Sequence, residues 1–469
     1  MTFARLWIVI ALALPALVAL LVPMPAVDLA YQVRTGELIL ATGRLPGVDT
    51  FTFTVGGQPW TDQQWLAQVV LALGQRVGGW ELLAVLRAVM VMAIVALMAA
   101  TSIARGTGPR TAAVLALVGF ALMAPALALR PQLFGILLFA AITWLVVTRA
   151  DHPRRVWVAP LLVVLWANVH GSFVLAPAIL AYGLLDDVIR GRPWRRSLGI
   201  LVAGILATAI TPFGPGVWAY AAGIGANPVI ANQVSEWQRT SPLIVTGALF
   251  YASVIGTGLL LVRGRRALSL ADAGLYLGLV AIGAWTVRGI AWWPIGAVLL
   301  VATVLPGLAA AAGVVSKPDR PIARGPARMN AAVAMVLGLA IVAALPWWRA
   351  PDPLIGRIGL LAYAPSGLAQ ALRERTQPGT RVAAPQAWTS WFEWAVPDAL
   401  YLVDARFELF PADVWADYAR IAAGGSTATE PLARWQVDLV VVPADGTAPD
   451  GWTRIYADGD GGIYGRGSN

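Results

Sequence analysis

The stretch PMPAVDLAYQVRTGELILATGRLPGVDTFTFTVGGQPWTDQQW, residues 23–65, is the first long polar interruption of an otherwise apolar chain. It carries Asp28, Arg34, Glu37, Asp49 and Asp62 among aromatic and turn-forming residues. A connector between packed helices needs only roughly two to eight residues. A loop of this length therefore has work of its own. Its apolar residues recur at helical spacing, which predicts one or two short amphipathic helices over 24–65 lying along a membrane interface. Chemistry is expected in this loop.

On either side of it the sequence reads as membrane. The 469 residues are 58% hydrophobic and 13% charged, with a mean hydropathy of +0.69, whereas about 25% of a soluble domain is charged. Residues 6–22, preceded by Arg5, form a spanning run. A cleaved leader is the competing reading, since PMPAV offers small residues, but a retained anchor would fix the position of Asp28. Further apolar runs fall near 79–103, 111–129, 132–148, 156–169, 172–189, 197–211, 242–262, 267–287, 290–312 and 330–348, giving about eleven spans in all. The stretch 156–189 is split in two by Asn168, His170 and Gly171. The expected fold is thus an α-helical polytopic membrane protein.

Charge sets the expected topology. Arg105 and Arg110, Arg149, Arg154 and Arg155, Arg190 to Arg196, Arg263 to Arg266, and the 316–328 linker with Lys317 and Arg320 all fall on the side that holds Arg5. Basic residues mark cytoplasmic ends, so the net charge of +9 reflects membrane orientation, and nucleic acid is not an expected partner. Cysteine is absent and only His152 and His170 are available, which excludes disulfides, thiol chemistry and a histidine-rich metal cage. The opposite side collects the 24–65 loop, Arg130, the 168–171 break, Glu236 and Arg288. Polar groups at membrane depth survive where they face an aqueous cavity or a ligand, so a cavity opening outward is expected.

Beyond Trp348 the composition becomes mixed and charged. Strand-like runs at 400–403 and 437–442 alternate with a helical pattern at 412–423, which predicts a small α/β domain on the outer face over 349–469. The membrane part is then 1–348, its first loop included. No glycine-rich phosphate fingerprint follows those strands.

Each candidate residue has a structural reading beside its functional one. Asp28 is either a solvated boundary residue or an acid held at the membrane face. Asp49 reads as a turn residue and Asp62 as a helix N-cap. Arg130 and Arg288 either snorkel to headgroups or pair with a phosphate-bearing lipid. Asn168 and His170 either stabilise the helix break or touch a ligand, and no structural role is evident for Glu236.

The segments VRTGELILATGRLP (33–46), QPWTDQQWLA (58–67), WANVHGSF (166–173) and SEWQ (235–238), with one span, a long acidic loop, many spans and an external domain, resemble the GT-C superfamily of integral-membrane glycosyltransferases. The resemblance covers most of the chain. It implies a multi-pass enzyme of the inner membrane that takes a sugar from a polyprenyl-phosphate donor, with membrane lipids as further partners and an envelope acceptor on the outer face. It implies that Asp28 is the catalytic base and that Arg130, Arg288, His170, Asn168 and Glu236 bind the donor and its phosphate. Many members carry paired acids in the first loop, whereas Asp28 stands between Val27 and Leu29, so no cofactor is required and a divalent metal is left open. An O-antigen ligase-like transferase, a lipid-linked-sugar transporter or flippase, and a non-catalytic scaffold are the alternatives.

Overall fold

The computed structural model describes residues 1–314 and 324–466, so most of the expected 316–328 linker lies outside the described residues. The chain forms two compact units. One comprises Met1–Val22, Ala84–Ala222 and Ser235–Trp348, and the other Pro23–Leu83, Gly223–Val234 and Arg349–Asn469. The boundary expected at 348 is therefore drawn differently, because the first loop groups with the C-terminal segment.

The first unit is the apolar one. Among the described residues seven helices are long and apolar enough to cross a membrane, and Pro131–Val147, Arg155–Val169 and Leu270–Trp285 are shorter apolar helices. The expected run at 197–211 becomes Arg195–Ala207, a helix about 20 Å long against the roughly 30 Å of a bilayer core. Between apolar helices in lipid, close approach rather than the hydrophobic effect gives cohesion, and small residues permit it. A Cβ on Gly119 would lie 2.9 Å from the Met98 sulfur and 3.1 Å from Val298, so this glycine lets the Pro109–Met123 helix sit against its neighbours.

Two arginines read from sequence as orientation markers prove to be buried in an ion network. Arg149 donates to Asp187 at 3.0 Å and to Asp186 at 2.8 Å, while Arg190 donates to Asp186 at 2.7 Å. Tyr182 and Ser269 close the set on Asp272 and Asp186, at 2.9 and 3.0 Å. Buried carboxylates persist only when paired in this way.

In the second unit a five-stranded sheet runs in the order 400–401, 381–383, 439–443, 461–466, 452–457. The first three strands are parallel and the rest antiparallel. The β-branched run Leu439–Pro443 forms the middle of it, and the Ala412–Ala423 helix contributes Val414, Trp415 and Ile421 to the core. The strands and helix expected over 400–442 are thus present. The first loop forms one helix, Ala26–Thr42, and its remainder is irregular. That irregular part extends the sheet: Tyr401 N donates to Phe51 O at 3.0 Å and Phe53 N to Tyr401 O at 3.1 Å. Val55 enters the core. The Ala26–Thr42 helix packs on Gln386–Ala395, where Trp394 Nε1 donates to Glu37 at 3.2 Å.

Candidate functional site

The apolar unit gathers four of the expected site residues. The Ala159–Val169 helix ends where the chain turns extended at His170, before a short Gly171–Val174 turn leads into Leu175–Ile189. Asn168 secures this break, its Nδ2 donating to Val164 O at 2.8 Å and to Ile210 O at 2.9 Å. Its amide donor is therefore spent on backbone. Gly135 makes room for the turn, since a Cβ there would meet Ser172 Oγ at 2.8 Å and Trp166 Nε1 at 2.9 Å.

His170 is held on both edges. Nδ1 lies 2.7 Å from Ser172 Oγ and Nε2 lies 3.3 Å from Arg288 Nη2. A guanidinium only donates, so Nε2 accepts and the imidazole facing it is neutral. Arg288 also lies 5.6 Å from the centroid of the Trp237 ring, a cation–π contact. The neighbouring residue Glu236 accepts from Arg130 Nη2 at 2.9 Å. Burial alone would push the Glu236 carboxyl up, but Arg130 and Arg288 outweigh it and hold the group below its ordinary range. Arg130 is the N-cap of Pro131–Val147, and Pro131 at the first helical position places it there. Two guanidiniums, one carboxylate and one neutral imidazole leave a net positive charge, which suits a phosphate or another oxyanion.

Asp28 belongs to the other unit, in the first turn of Ala26–Thr42. The N-cap there is Pro25. Proline has no N–H, so the third helical residue, Asp28, has no N-cap N–H to accept from, as a capping box would require. The helix dipole favours an ionised carboxylate at that position. Asp28 is half-buried.

A buried charged cluster in the same unit was not anticipated. Arg406 donates through Nε to Asp404 at 2.9 Å and through Nη2 to both Asp404 and Asp49. Its guanidinium carbon lies 4.5 Å from the Trp60 ring centroid and 5.0 Å from that of Phe51. Asp49 is the expected turn residue, accepting from Thr52 Oγ1 at 2.6 Å, and is at the same time an ion-pair partner. Glu393, 2% exposed, is pushed well up by burial and by Asp404 beside it. The only sequence signal was the Asp-Ala-Arg triplet, residues 404–406, closing the apolar run at 400–403.

Asp62 is not the helix N-cap expected from sequence, because the helix begins at Trp65. It is 3% exposed, accepts from Gln68 Nε2 at 2.7 Å through Oδ1, and has no hydrogen-bond partner for Oδ2. Burial pushes its carboxyl up to about 7. Among the described residues no three His, Cys, Asp or Glu side chains converge as metal ligands. The donor set around Asp28 does not fit a divalent metal, and no step is drawn through one.

Comparison with solved structures identifies the architecture. The archaeal oligosaccharyltransferase AglB from Archaeoglobus fulgidus, in complex with an inhibitory peptide and a dolichol-phosphate, matches with a TM-score of 0.60 at 11% identity, over 94% of this chain and 70% of that one. A second oligosaccharyltransferase structure from A. fulgidus, with Zn and sulfate, matches at 0.59 and 13% identity, over 93% and 68%. The mycobacterial arabinofuranosyltransferase AftD matches at 0.57 and 17% identity, and this chain spans 42% of its length. The fold is that of the GT-C membrane glycosyltransferases. No protein-family model and no curated protein matches the sequence.

Proposed function

We propose that this chain is a membrane glycosyltransferase that moves a sugar from a polyprenyl-phosphate donor to a hydroxyl of an envelope acceptor on the outer face. The GT-C fold supports the reaction class. The observation that carries the donor assignment is the convergence of Arg130, Glu236, His170 and Arg288 around one electropositive position.

In this reading Arg130 and Arg288 hold the phosphate, and Glu236 and His170 keep the two guanidiniums in place. Glu236 fixes Arg130 by a charge-assisted bond. His170 accepts from Arg288 and, being neutral, adds no competing positive charge. Asn168 acts on the donor only indirectly, by fixing the helix break that presents His170.

Asp28 serves as general base. It takes the proton of the acceptor hydroxyl as that oxygen bonds to the anomeric carbon. The bond from the anomeric carbon to the phosphate oxygen breaks, and polyprenyl phosphate departs with the electron pair. Fixed guanidiniums stabilise the charge that grows on the leaving phosphate, commonly the largest single contribution to such catalysis. The test is sugar transfer by the purified full-length chain in lipid from a pool of polyprenyl-phosphate sugars. Transfer supports the reading. Translocation of the donor without any new glycosidic bond would replace it with a transporter.

A further inference from the structure

Tyr363 combines three properties that the fold itself does not need. Its backbone sits at φ 59, a left-handed conformation that is costly for an aromatic residue and is normally supplied by glycine. Its side chain is 55% exposed. Among the described residues its ring makes no aromatic or cation–π contact and its hydroxyl makes no hydrogen bond. The backbone demand itself is understandable. Ala364 precedes Pro365 and is restricted to extended conformations, so the reversal from strand Leu361–Ala362 into helix Ser366–Arg373 has to be made at 363. The choice of tyrosine for that reversal is not explained by packing. Strained residues that pack against nothing concentrate where substrates bind.

Its location says which substrate. Strand Leu361–Ala362 pairs in parallel with Met24–Pro25, Met24 opposite Leu361 and Pro25 opposite Ala362. The two chains leave that pairing side by side, separated by about one strand spacing, roughly 4.8 Å. One continues into the helical turn that carries Asp28, and the other places Tyr363 next in line. An exposed phenol ring beside a carboxylate offers a flat apolar face with a polar edge. A sugar has the complementary form, a face of C–H groups rimmed by hydroxyls.

We propose that Tyr363 is a positioning residue that stacks against a sugar ring and holds it at Asp28. The inference rests on Asp28 being the base of a glycosyl transfer. The sugar is either the one carried by the lipid donor or the terminal residue of the acceptor, and separate titrations tell them apart.

The full-length chain in lipid is compared with Tyr363→Phe, Tyr363→Trp and Tyr363→Gly, reading thermal unfolding together with kcat and KM for donor and acceptor. Tyr363→Gly relieves the backbone and is expected to unfold a few degrees higher. Its KM for one of the two sugars is expected to rise about tenfold or more, the loss of one ring contact, while the aromatic variants stay within a few-fold of wild type. A rise for donor alone or acceptor alone assigns the stacked sugar. If Tyr363→Gly melts lower, or keeps both KM values, the ring is a structural or membrane-interface anchor and the proposal is overturned. If the wild type transfers no sugar from any donor, the glycosyltransferase reading falls and this inference with it, an outcome distinct from active wild type with an unaffected variant.

Discussion

Arg130 reaches Glu236 across 106 residues of sequence, Nη2 to Oε1 at 2.9 Å. The contact joins the start of one apolar helix to the segment before another, and the residue after Glu236 lies under Arg288. An arginine at a helix end that merely snorkelled would point to headgroups and would not be 89% covered by protein, as its side-chain exposure of 11% implies.

Loss of this arginine should appear in donor binding. Arg130→Ala is expected to raise the donor KM about ten- to hundredfold, the equivalent of the roughly 1.5–3 kcal/mol of one charged hydrogen bond, with acceptor KM unchanged. Arg130→Lys should recover only part, because an ammonium cannot pair bidentately. Donor titration at fixed acceptor checks this, and an unchanged donor KM would remove Arg130 from the phosphate site.

Asp62 predicts a pH dependence of stability. Its folded carboxyl sits at about 7 against an ordinary 3.8, so the folded state retains a proton that the unfolded chain releases between those values. The stabilisation is complete below the unfolded value and is lost as pH rises through about 7. Asp62→Asn, permanently uncharged, should unfold several degrees above wild type near pH 8 and close to it near pH 4, by thermal melts at about those two pH values. An equal difference at both would contradict the burial of this group as an acid.

Arg406 is expected to fasten the first loop. Removing it leaves Asp49 and Asp404 facing each other without a cation, both buried. Arg406→Met should cost about 3–5 kcal/mol, the penalty for breaking a buried pair from one side. Limited proteolysis should then cut within 48–60, and retained resistance there would show that the sheet extension at Phe51 and Phe53 suffices.

Gly79 should not tolerate a side chain. It holds φ 65, ψ −167 and follows Gly78 at φ −146, ψ 21, so the two interrupt the Trp65–Ala104 helix just before Trp80. That region is essentially glycine-only, and Gly79→Ala is expected to destabilise by about 1–3 kcal/mol. A melt indistinguishable from wild type would mean the break can straighten.

The sequence made the apolar helices legible because their signal is local: a run of apolar residues, a basic cluster, a break at Asn168 and His170. The strands near 400 and 439 were legible for the same reason. The pairing of Met24–Pro25 with Leu361–Ala362 was not, because two-residue strands carry no periodicity and their partners lie far apart in the chain. Arg406 was equally hidden: nothing in its neighbourhood says that Asp49 and Trp60 fold around it. Among the site residues, Arg130, Glu236, His170 and Arg288 were chosen as polar interruptions of apolar sequence, which is a physical criterion. Their pairing into Arg130–Glu236 and His170–Arg288 required coordinates. Asp62 was misread because an acid a few residues before an apolar run looks like a cap, and the helix start is set instead by Trp65.

The most direct measurement is sugar transfer by wild type and Asp28→Asn, side by side with polyprenyl-phosphate donors and the full-length chain in lipid. The amide is nearly isosteric and remains compatible with the first turn of its helix. The variant should therefore keep the wild-type melt and donor affinity while turnover falls by about a hundredfold or more, the usual share of a positioned general base. Equal turnover by wild type and Asp28→Asn would contradict the account.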